Sequence, residues 1–403
     1  MDVLIPPFIS RPMYWDKIYP YTGKHIIKVL VGQRRVGKSY LLYQTMARIR
    51  KEHPRATLVY INKELHDFAT IRNSDDLLAY IKKAAGPSKK ACIFIDEIQD
   101  ISGFEKALRS LAAQEKFDIY CTGSNAFLLS GELATYLSGR YVEIKVYGLS
   151  YPEFLVFHKL TDNNESLLKY MKYGGLPYLR NLELEDNVVY DYLQNIYTSI
   201  LYKDVVRRFR IRNVSFLERL TEYCADNVGS LVSAKKISDF LKSQKTAISP
   251  NVVLNYLSFL CSAFFILRTP RSEIKGKKVF EIGEKYYFED LGLRHSITGY
   301  RQEDIGKILE NLVFLDLKTR GFDVTVGKLG DKEIDFVAEK SGEKMYVQVT
   351  YLVPDQKAHD REFGNLLSIS DNYRKVVVSM DETAGGNYKG IEHVPIRKFL
   401  GRI

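Results

Sequence analysis

Short apolar runs alternate with amphipathic stretches over the first third of the chain. The runs are rich in β-branched residues and are bounded by polar ones, a pattern typical of buried strands. They lie at 25–31, 57–61, 91–96 and 117–122. Residues 40–50 and 75–83 instead carry apolar side chains three and four positions apart, as on a helix. Residues 1–148 are therefore predicted to form an α/β domain with a doubly wound sheet.

The next two segments are predicted to be mainly helical. Residues 149–213 are helical and aromatic, and glycines and a proline at 174–177 interrupt them, which suits a helical lid or linker. Residues 214–298 have the layout of a winged helix, with three helices followed by two strands. The helices are predicted at 215–227, 233–242 and 251–262, and the strands at 264–268 and 278–289 around a basic wing loop at 275–278.

The last segment, residues 299–403, is predicted to form a second α/β domain. An apolar periodicity of three and four predicts a helix at 305–317. Three runs with strand character follow it, at 321–326, 333–338 and 345–350. The chain is therefore expected to consist of an α/β domain, a helical lid, a winged helix and a C-terminal α/β domain.

One stretch of the sequence predicts a site that binds phosphate groups. Residues 32–39 match the complete phosphate-binding loop G-x-x-x-x-G-K-[ST], between a predicted strand and a predicted helix. In that setting the loop amides and the helix N-terminus converge on phosphate. Lys38 is expected to reach the β- and γ-phosphates of ATP, and the Ser39 hydroxyl is expected to hold Mg²⁺. The predicted nucleotide-binding residues are Gly32, Gln33, Arg34, Arg35, Val36, Gly37, Lys38, Ser39, Tyr40 and Asp96.

Polar residues also follow two later strands. Asp96 ends the strand at 91–96 and is expected to complete the Mg²⁺ shell, and the adjacent Glu97 is expected to polarise the attacking water. Ser124 and Asn125 follow the strand at 117–122, where they could sense the γ-phosphate or position water. Serine and asparagine at a strand end also suit an ordinary turn. The predicted activity is Mg²⁺-dependent hydrolysis of ATP.

Composition narrows the class of protein and of partner. The 403 residues carry a net charge of +10, with 45% hydrophobic and 27% charged residues. This hydrophobic content supports a packed core and excludes a disordered chain, and the positive charge favours a polyanionic partner. The sequence has no signal-peptide pattern and no run long enough to span a membrane. Because the four cysteines show no metal-binding spacing, a cytoplasmic protein with free thiols is expected.

The motifs, taken together with several further ones, resemble a large group of bacterial and archaeal AAA-type ATPases. The further motifs lie at 122–125, 128–130, 137–140, 149–154, 174–177 and 201–204. In related ATPases an arginine after the third-strand loop supplies positive charge to the γ-phosphate, often across a subunit boundary. By resemblance Arg140 is the candidate, and a homo-oligomer is expected. The alternative is a surface arginine that caps a helix carbonyl.

Members of that group typically carry a C-terminal domain related to PD-(D/E)XK nucleases, and the order of elements after residue 299 resembles such a core. By this resemblance Glu310, Asp335 and Gln348 stand at the metal-binding positions. An active member needs a lysine two residues after the last of these, where this chain has Thr350. The resemblance therefore implies a nuclease-like fold that does not cleave, unless a lysine from another element restores the site.

Two basic clusters are candidates for contact with phosphate. The first belongs to the winged-helix segment: Lys242, Lys245, Lys275, Lys277 and Lys278. Since the third helix of that segment is mostly apolar, binding to DNA is expected to be electrostatic and independent of base sequence. The alternative is a solvated basic face in a module that binds only protein. The second cluster comprises Lys203, Arg207, Arg208, Arg210 and Arg212. It suits nucleic acid, the nucleotide of a neighbouring subunit, or a solvated face.

Three functions are compatible with these features. The favoured one is an oligomeric DNA-binding ATPase that remodels or translocates on DNA. The second is an ATP-gated switch or scaffold that controls assembly with a protein partner. The third is an ATP-regulated nuclease.

Overall fold

The computed structural model describes residues 4–86, 90–126, 137, 139–274, 283–353, 356–382 and 385–401. The chain divides into two compact units. The first unit consists of Met1–Tyr147 and Ser262–Phe264, and the second consists of Gly148–Cys261 and Phe265–Ile403.

The first unit is built of alternating strands and helices. Its elements are α1 (Pro12–Ile18), β1 (Ile27–Val31), α2 (Lys38–Glu52), β2 (Thr57–Asn62), α3 (Ser74–Ala85), β3 (Ala91–Asp96), α4 (Phe104–Ala112), β4 (Phe117–Gly123) and β5 (Tyr141–Lys145). The four strands and two helices predicted in this part of the chain are confirmed. β5 was not predicted, because its five residues are too short and too polar to give a distinct pattern.

The five strands form one parallel sheet in the order β2-β3-β4-β1-β5. Every side chain of β1 is buried, as expected for a strand with helices packed on it. Helices α3 and α4 contribute Leu77, Ile81, Leu108 and Leu111 to the core beneath the sheet. Because the strands are parallel, the residues that follow β1, β3 and β4 meet at one edge, where ligands of open α/β sheets bind.

The second unit begins with helices and ends with a large sheet. Its elements are α5 (Tyr151–His158), α6 (Asn164–Tyr173), α7 (Asp186–Ser199), a π-helix (Ile200–Val206), α8 (Val214–Asp226), β6 (Leu231–Val232), α9 (Ala234–Ser243), α10 (Pro250–Ser262), β7 (Ile266–Glu273), β8 (Glu284–Phe288), α11 (Leu291–Thr298), α12 (Ile305–Thr319), β9 (Asp323–Leu329), β10 (Lys332–Lys340), β11 (Glu343–Val349), α13 (Gln356–Leu367), β12 (Arg374–Ser379), β13 (Gly386–Tyr388), β14 (Ile391–Pro395) and α14 (Ile396–Leu400). Each predicted helix and strand of this half has a counterpart with ends shifted by a few residues, and residues 278–282 of the strand predicted at 278–289 lie outside the described residues.

A single nine-stranded sheet runs through this unit, in the order β13-β14-β12-β11-β10-β9-β7-β8-β6. The hairpin β7-β8 joins the strands after it because Arg271–Glu273 of β7 pairs in parallel with Val326–Lys328 of β9. The boundaries predicted at 213 and 298 thus lie inside one compact unit. The subdivision into lid, winged helix and C-terminal domain stays a prediction.

The glycine pair at 174–175 packs closely against the N-terminus of α11. The Asp290 carboxylate caps α11 by accepting from the Leu293 N–H at 2.9 Å, and it also accepts from the Gly175 N–H at 2.7 Å. A Cβ on Gly174, whose φ is +78°, would lie 2.4 Å from Asp290 Oδ1, and one on Gly292 would lie 2.1 Å from a backbone oxygen. These glycines are therefore required by close packing.

His295 on α11 is held in its neutral form. Its Nε2 lies 3.1 Å from the Met171 carbonyl oxygen, and its Nδ1 lies 3.2 Å from the Arg294 guanidinium. Since the guanidinium can only donate, Nδ1 accepts and Nε2–H donates. Burial, aided by Arg294, lowers the pKa of His295 to about 3.

Acidification is therefore expected to destabilise the second unit through His295. The unfolded imidazole takes up its proton near pH 6.5 and the folded one near 3, so the free energy of unfolding falls as pH drops from 6.5. Between pH 7 and 5 the loss is about 2 kcal/mol from this residue. Thermal unfolding across that range should show a shallower pH dependence for His295→Gln. Equal pH dependences in the two proteins would contradict the assignment.

Candidate functional site

The loop after β1 has the backbone geometry of a phosphate cradle. Gly37 adopts φ +94° immediately before Lys38, the first residue of α2. A Cβ on Gly32 would lie 2.0 Å from the Val146 carbonyl oxygen, so no larger residue fits there. The loop is therefore drawn tightly around the N-terminus of α2, where free N–H groups and the helix dipole favour an anion.

Two side chains of the loop fit a nucleotide. The Lys38 ammonium is buried, and it donates to the backbone oxygens of Gly32 at 3.0 Å and Gln33 at 2.9 Å, within the loop itself. The Gln33 side chain is fully buried, and neither its Nε2 nor its Oε1 finds a hydrogen-bonding partner in the described part of the chain. A buried amide without a partner costs stability, so water or a polar ligand would be expected to satisfy it.

Asp96 lies beside the start of α2. Its carboxylate accepts hydrogen bonds from the hydroxyls of Ser39 and Thr122. Burial raises the pKa of Asp96 above its ordinary value, against the opposing effect of these two hydroxyls. The serine hydroxyl and the carboxylate thus form a pair of oxygen ligands of the kind that Mg²⁺ prefers.

Glu97 is held in an unusual backbone conformation. Its φ is +54°, and its N–H donates to Thr122 Oγ1 at 2.9 Å. The Gln99 amide donates to the Glu97 carboxylate and lies 3.4 Å from Ser124 Oγ. For a non-glycine residue this conformation costs of order 1 kcal/mol or more, and strained residues of this kind are found most often at functional sites.

Electrostatics keep Glu97 ionised. Burial raises the pKa of its carboxyl, but Lys38, the Gln99 amide and Arg34 together outweigh burial and hold the pKa below its ordinary value. An ionised, oriented carboxylate can accept a proton at neutral pH. Ser124 and Asn125 are buried at the end of β4 on the same edge of the sheet.

Arg140 does not lie at this edge. It immediately precedes β5, and its carbonyl oxygen accepts from the Ile27 N–H at 2.9 Å, at the start of β1. The loop with Lys38 follows the other end of β1, where the Val146 N–H donates to the Val31 oxygen at 2.6 Å. The exposed Arg140 side chain is thus separated from the loop of its own subunit by the length of β1.

The other residues predicted to bind the nucleotide in this loop are Arg34, Arg35, Val36 and Tyr40. Arg34 lies 3.8 Å from the Glu64 carboxylate, and Arg35 adopts φ +70°. Val36 is fully buried, whereas the Tyr40 side chain is 52% exposed on the first turn of α2. Tyr40 is therefore available to a ligand or to solvent.

Arg11 supports the loop and was not predicted. It is buried, and its guanidinium donates to the carbonyl oxygens of Val36 at 3.0 Å and Tyr147 at 3.2 Å. Its backbone N–H donates to Gln44 Oε1 of α2 at 2.7 Å. Arg11 thus ties the chain before β1 to the loop and to the helix after it. A single arginine at the start of the chain offers no sequence signal for such contacts.

The C-terminal residues predicted from the nuclease resemblance lie in the second unit. The Glu310 carboxylate of α12 accepts from Lys285 Nζ at 2.9 Å and from the Tyr287 hydroxyl at 2.6 Å. The buried Asp335 of β10 accepts from the Val349 N–H at 2.8 Å, and its own N–H lies 3.4 Å from Gln348 Oε1. Glu310 therefore pairs with a lysine from β8, an element outside the predicted nuclease core, while Gln348 lies beside the backbone of Asp335.

The candidate phosphate-binding residues are only partly described. Lys242 and Lys245 are exposed at and just beyond the end of α9, while Lys275, Lys277 and Lys278 lie outside the described residues. In the second cluster four cations are exposed and Arg208 is half-buried, along the π-helix and the residues that follow it: Lys203, Arg207, Arg208, Arg210 and Arg212. No helix among the described residues is long and apolar enough to cross a membrane.

The parallel sheet, the phosphate-binding loop and the Asp-Glu strand end define an AAA-type P-loop ATPase domain. The AAA domain family matches residues 24–155. A domain of unknown function, DUF8612, matches residues 164–304. The chain belongs to the same family as an uncharacterised protein of Haemophilus influenzae, which is 36% identical over 97% of this chain and 98% of its own length.

A second relative and several solved structures are also similar. An uncharacterised protein of Methanocaldococcus jannaschii is 32% identical over 81% of this chain and 74% of its own. The Aeropyrum pernix ORC2 protein in ADPNP-ADP complexes has 13% identity, covers 64% of this chain and 85% of its own, and gives a TM-score of 0.37. Replication initiator DnaA bound to AMPPCP and single-stranded DNA has 15% identity, with coverages of 63% and 89% and a TM-score of 0.31. At these TM-scores neither likeness bears on function.

Proposed function

We propose that this protein binds ATP with Mg²⁺ and hydrolyses it. The observation that carries the proposal is the convergence of Lys38, the Ser39–Asp96 pair and Glu97 at one edge of the parallel sheet. Ser39 and Asp96 would hold Mg²⁺ bound with ATP, and the ion would supply positive charge to the β- and γ-phosphates. The unpartnered Gln33 amide would gain a polar ligand.

Each residue of the site has a separate proposed role in the hydrolysis of ATP. Lys38 exchanges its backbone partners for phosphate oxygens, which attract an ammonium more strongly than neutral carbonyls do. Glu97 polarises the attacking water and accepts its proton: the lowered pKa keeps the carboxylate ionised, and the Gln99 amide orients it. Ser124 and Asn125 lie where a side chain can orient that water or contact the γ-phosphate.

Arg140 is proposed to act on the nucleotide of a neighbouring subunit. Its position before β5 separates it from the loop of its own chain, while its exposed side chain is free to reach another copy. A head-to-tail interface would bring one subunit's Arg140 to the next subunit's Lys38. The working form is then a homo-oligomer in which each interface completes one site.

The partner is proposed to be DNA, bound without regard to base sequence. Support comes from the net charge of +10 and from the exposed cations at the end of α9. Lys242 and Lys245 stand there beside Phe240, whose side chain is 65% exposed on the same helix. An exposed aromatic ring among cations suits a nucleic-acid surface, since the cations meet phosphates and the ring meets sugar or base. The helices and strands of residues 214–288 support a winged-helix arrangement for this surface.

Binding to duplex DNA is expected to weaken steeply with salt. If about four to six phosphates are neutralised, log affinity falls against log salt with a slope of about −4 to −5. The double variant Lys242→Ala/Lys245→Ala should flatten that slope by about 2 and weaken all sequences alike. The matched control is Lys82→Ala/Lys83→Ala, which removes the same charge from the exposed end of α3. An equal effect of both variants, or a strong preference for one sequence, would contradict the proposal.

The second candidate function is an ATP-gated switch or scaffold for a protein partner. It is favoured by the Leu254 side chain, which is 49% exposed on α10 and suits contact with a protein, beside the exposed Asn251, Asn255 and Ser258. Turnover of ATP, measured alone and with single-stranded, duplex and branched DNA, separates the two functions. Stimulation of about tenfold or more supports the DNA-dependent ATPase. Unchanged turnover together with ATP-dependent assembly supports the switch.

A further inference from the structure

A cluster of charged side chains lies inside the second unit, where β8, α12 and β10 meet. Lys285 of β8 is 3% exposed, and its ammonium lies 2.9 Å from a carboxylate oxygen of Glu310 and 2.9 Å from one of Glu333. The Tyr287 hydroxyl, two residues further along β8, donates to the same Glu310 oxygen at 2.6 Å. We refer to Lys285, Glu310, Glu333 and Asp335 as the interior cluster.

The charged residues of the interior cluster shift one another's pKa values. Burial lowers the pKa of Lys285, but Glu310, Asp335 and Glu333 more than compensate and raise it above its ordinary value, so the ammonium stays charged. Burial and the neighbouring Glu310 raise the pKa of Asp335 well above its ordinary value. Lys285 thus pairs with Glu310 and Glu333, and Asp335 lies near enough to raise the lysine pKa further.

Other charged groups around the cluster already have partners. Arg271 of β7 lies 3.7 Å from Glu333, and the Glu362 carboxylate lies 2.6 Å from the Arg361 guanidinium. On the other side, a Cβ on Gly229 would lie 3.1 Å from the Glu310 carboxylate, so the chain before β6 closely covers that group. The lysine is therefore buried, while the Glu310 and Glu333 carboxylates are half-buried beside backbone and other charged side chains.

These residues do not fit a divalent metal ion. A magnesium-dependent nuclease needs carboxylates that converge on a metal open to the phosphodiester and to water. Here the point between the glutamates is taken by the lysine, and Asp335 is 9% exposed. The described residues contain no group of three or more acidic, histidine or cysteine side chains placed to hold a metal ion.

We propose that Lys285 is a built-in cation that occupies the place of a divalent metal and fastens β8 to α12 and β10. The ammonium pairs with both Glu310 and Glu333 and makes the cluster a permanent structural joint of the nine-stranded sheet. This inference goes beyond the proposed ATPase function and does not depend on it. It also explains why the third strand of this segment tolerates Gln348 and Thr350, since no reacting phosphate has to be bound there.

Metal binding by the full-length protein tests the proposal. Mn²⁺ uptake, followed by electron paramagnetic resonance without nucleotide, is compared among wild type, Asp335→Asn, Lys285→Met and the double variant. Asparagine has the shape of Asp335 without its charge, so Asp335→Asn is expected to fold and to match wild type in Mn²⁺ uptake. Lys285→Met removes the cation that lies 2.9 Å from both Glu310 and Glu333, leaving Arg271 at 3.7 Å from Glu333, and is expected to unfold at a lower temperature.

Mn²⁺ should then replace the missing ammonium. At a concentration about a hundred times its dissociation constant it should restore about 5 to 10 °C of the melting temperature of Lys285→Met. The double variant should take up less Mn²⁺ and show a smaller restoration. The proposal is overturned if wild type takes up an additional Mn²⁺ that Asp335→Asn does not, or if folded Lys285→Met gains no Mn²⁺.

Should Lys285→Met fail to fold, the comparison of wild type with Asp335→Asn decides alone. The same pair of proteins is incubated with linear and circular DNA in Mg²⁺ or Mn²⁺. The proposal expects neither to cut beyond a shared background. Cleavage by wild type that is lost in Asp335→Asn would make Lys285 a nuclease lysine and overturn the proposal.

Discussion

Replacing Glu97 by glutamine is expected to leave ATP bound and to slow its hydrolysis by about a hundredfold or more. The amide keeps the shape of the side chain but cannot accept a proton from water. The backbone conformation of Glu97 and its N–H bond to Thr122 do not depend on the carboxylate, so the fold should persist. Single-turnover measurements with radiolabelled ATP separate the loss of chemistry from any change in binding.

Lys38→Ala provides the matched comparison. It removes the cation that faces the phosphates and should therefore abolish or strongly weaken ATP binding, measured by equilibrium binding of a fluorescent ATP analogue. The two variants thus fail at different steps. Unchanged turnover in Glu97→Gln would remove Glu97 from the reaction and would leave the proposed division of roles without its base.

Two inactive proteins are expected to restore activity when they are mixed. Arg140→Ala should lose about a hundredfold in turnover while retaining ATP, because its charge acts on the transition state. Lys38→Ala has an intact Arg140 but no functional loop. In a random 1:1 assembly, about a quarter of head-to-tail interfaces combine an intact loop with an intact arginine, so about a quarter of the wild-type rate should return.

The control is each variant mixed with itself under the same conditions. Analytical ultracentrifugation shows whether mixed assemblies have formed before turnover is measured. If assemblies form and no activity returns, the arginine does not act between subunits. A homogeneous monomer that hydrolyses ATP at the full wild-type rate would refute the oligomeric proposal altogether.

The elements that the sequence predicted best are those whose signal is local. The loop at 32–39 and the strand ending in Asp96 and Glu97 each combine a short motif with an apolar run, and both lie where they were expected. The helices and strands after residue 213 also follow from periodicity and turn residues. Their arrangement into a single sheet does not, because the pairing of β7 with β9 depends on contacts across about fifty residues.

Two residues whose contacts lie far away in the sequence were not predicted. Arg11 reaches carbonyl oxygens 25 and 136 residues away, and Lys285 meets a glutamate 25 residues away. Neither belongs to a motif, and a buried cation is indistinguishable in sequence from an exposed one. The sequence left open whether a lysine from another element lies beside the acids of the nuclease-like segment. Lys285 takes that position from β8, which was predicted as a strand of the winged helix.

The parallel pairing of β7 with β9 has a consequence for where this chain can be shortened. Cutting after residue 298 would strip β9 from β7 and leave the N–H and C=O groups of Arg271–Glu273 without partners. The same cut would remove Glu310 and Glu333 and leave the buried Lys285 ammonium without these two carboxylates. An unpaired strand beside a newly exposed apolar face invites association with other chains. The shortened protein should therefore aggregate during expression, so loss of DNA binding in it would report misfolding and not the absence of a binding surface.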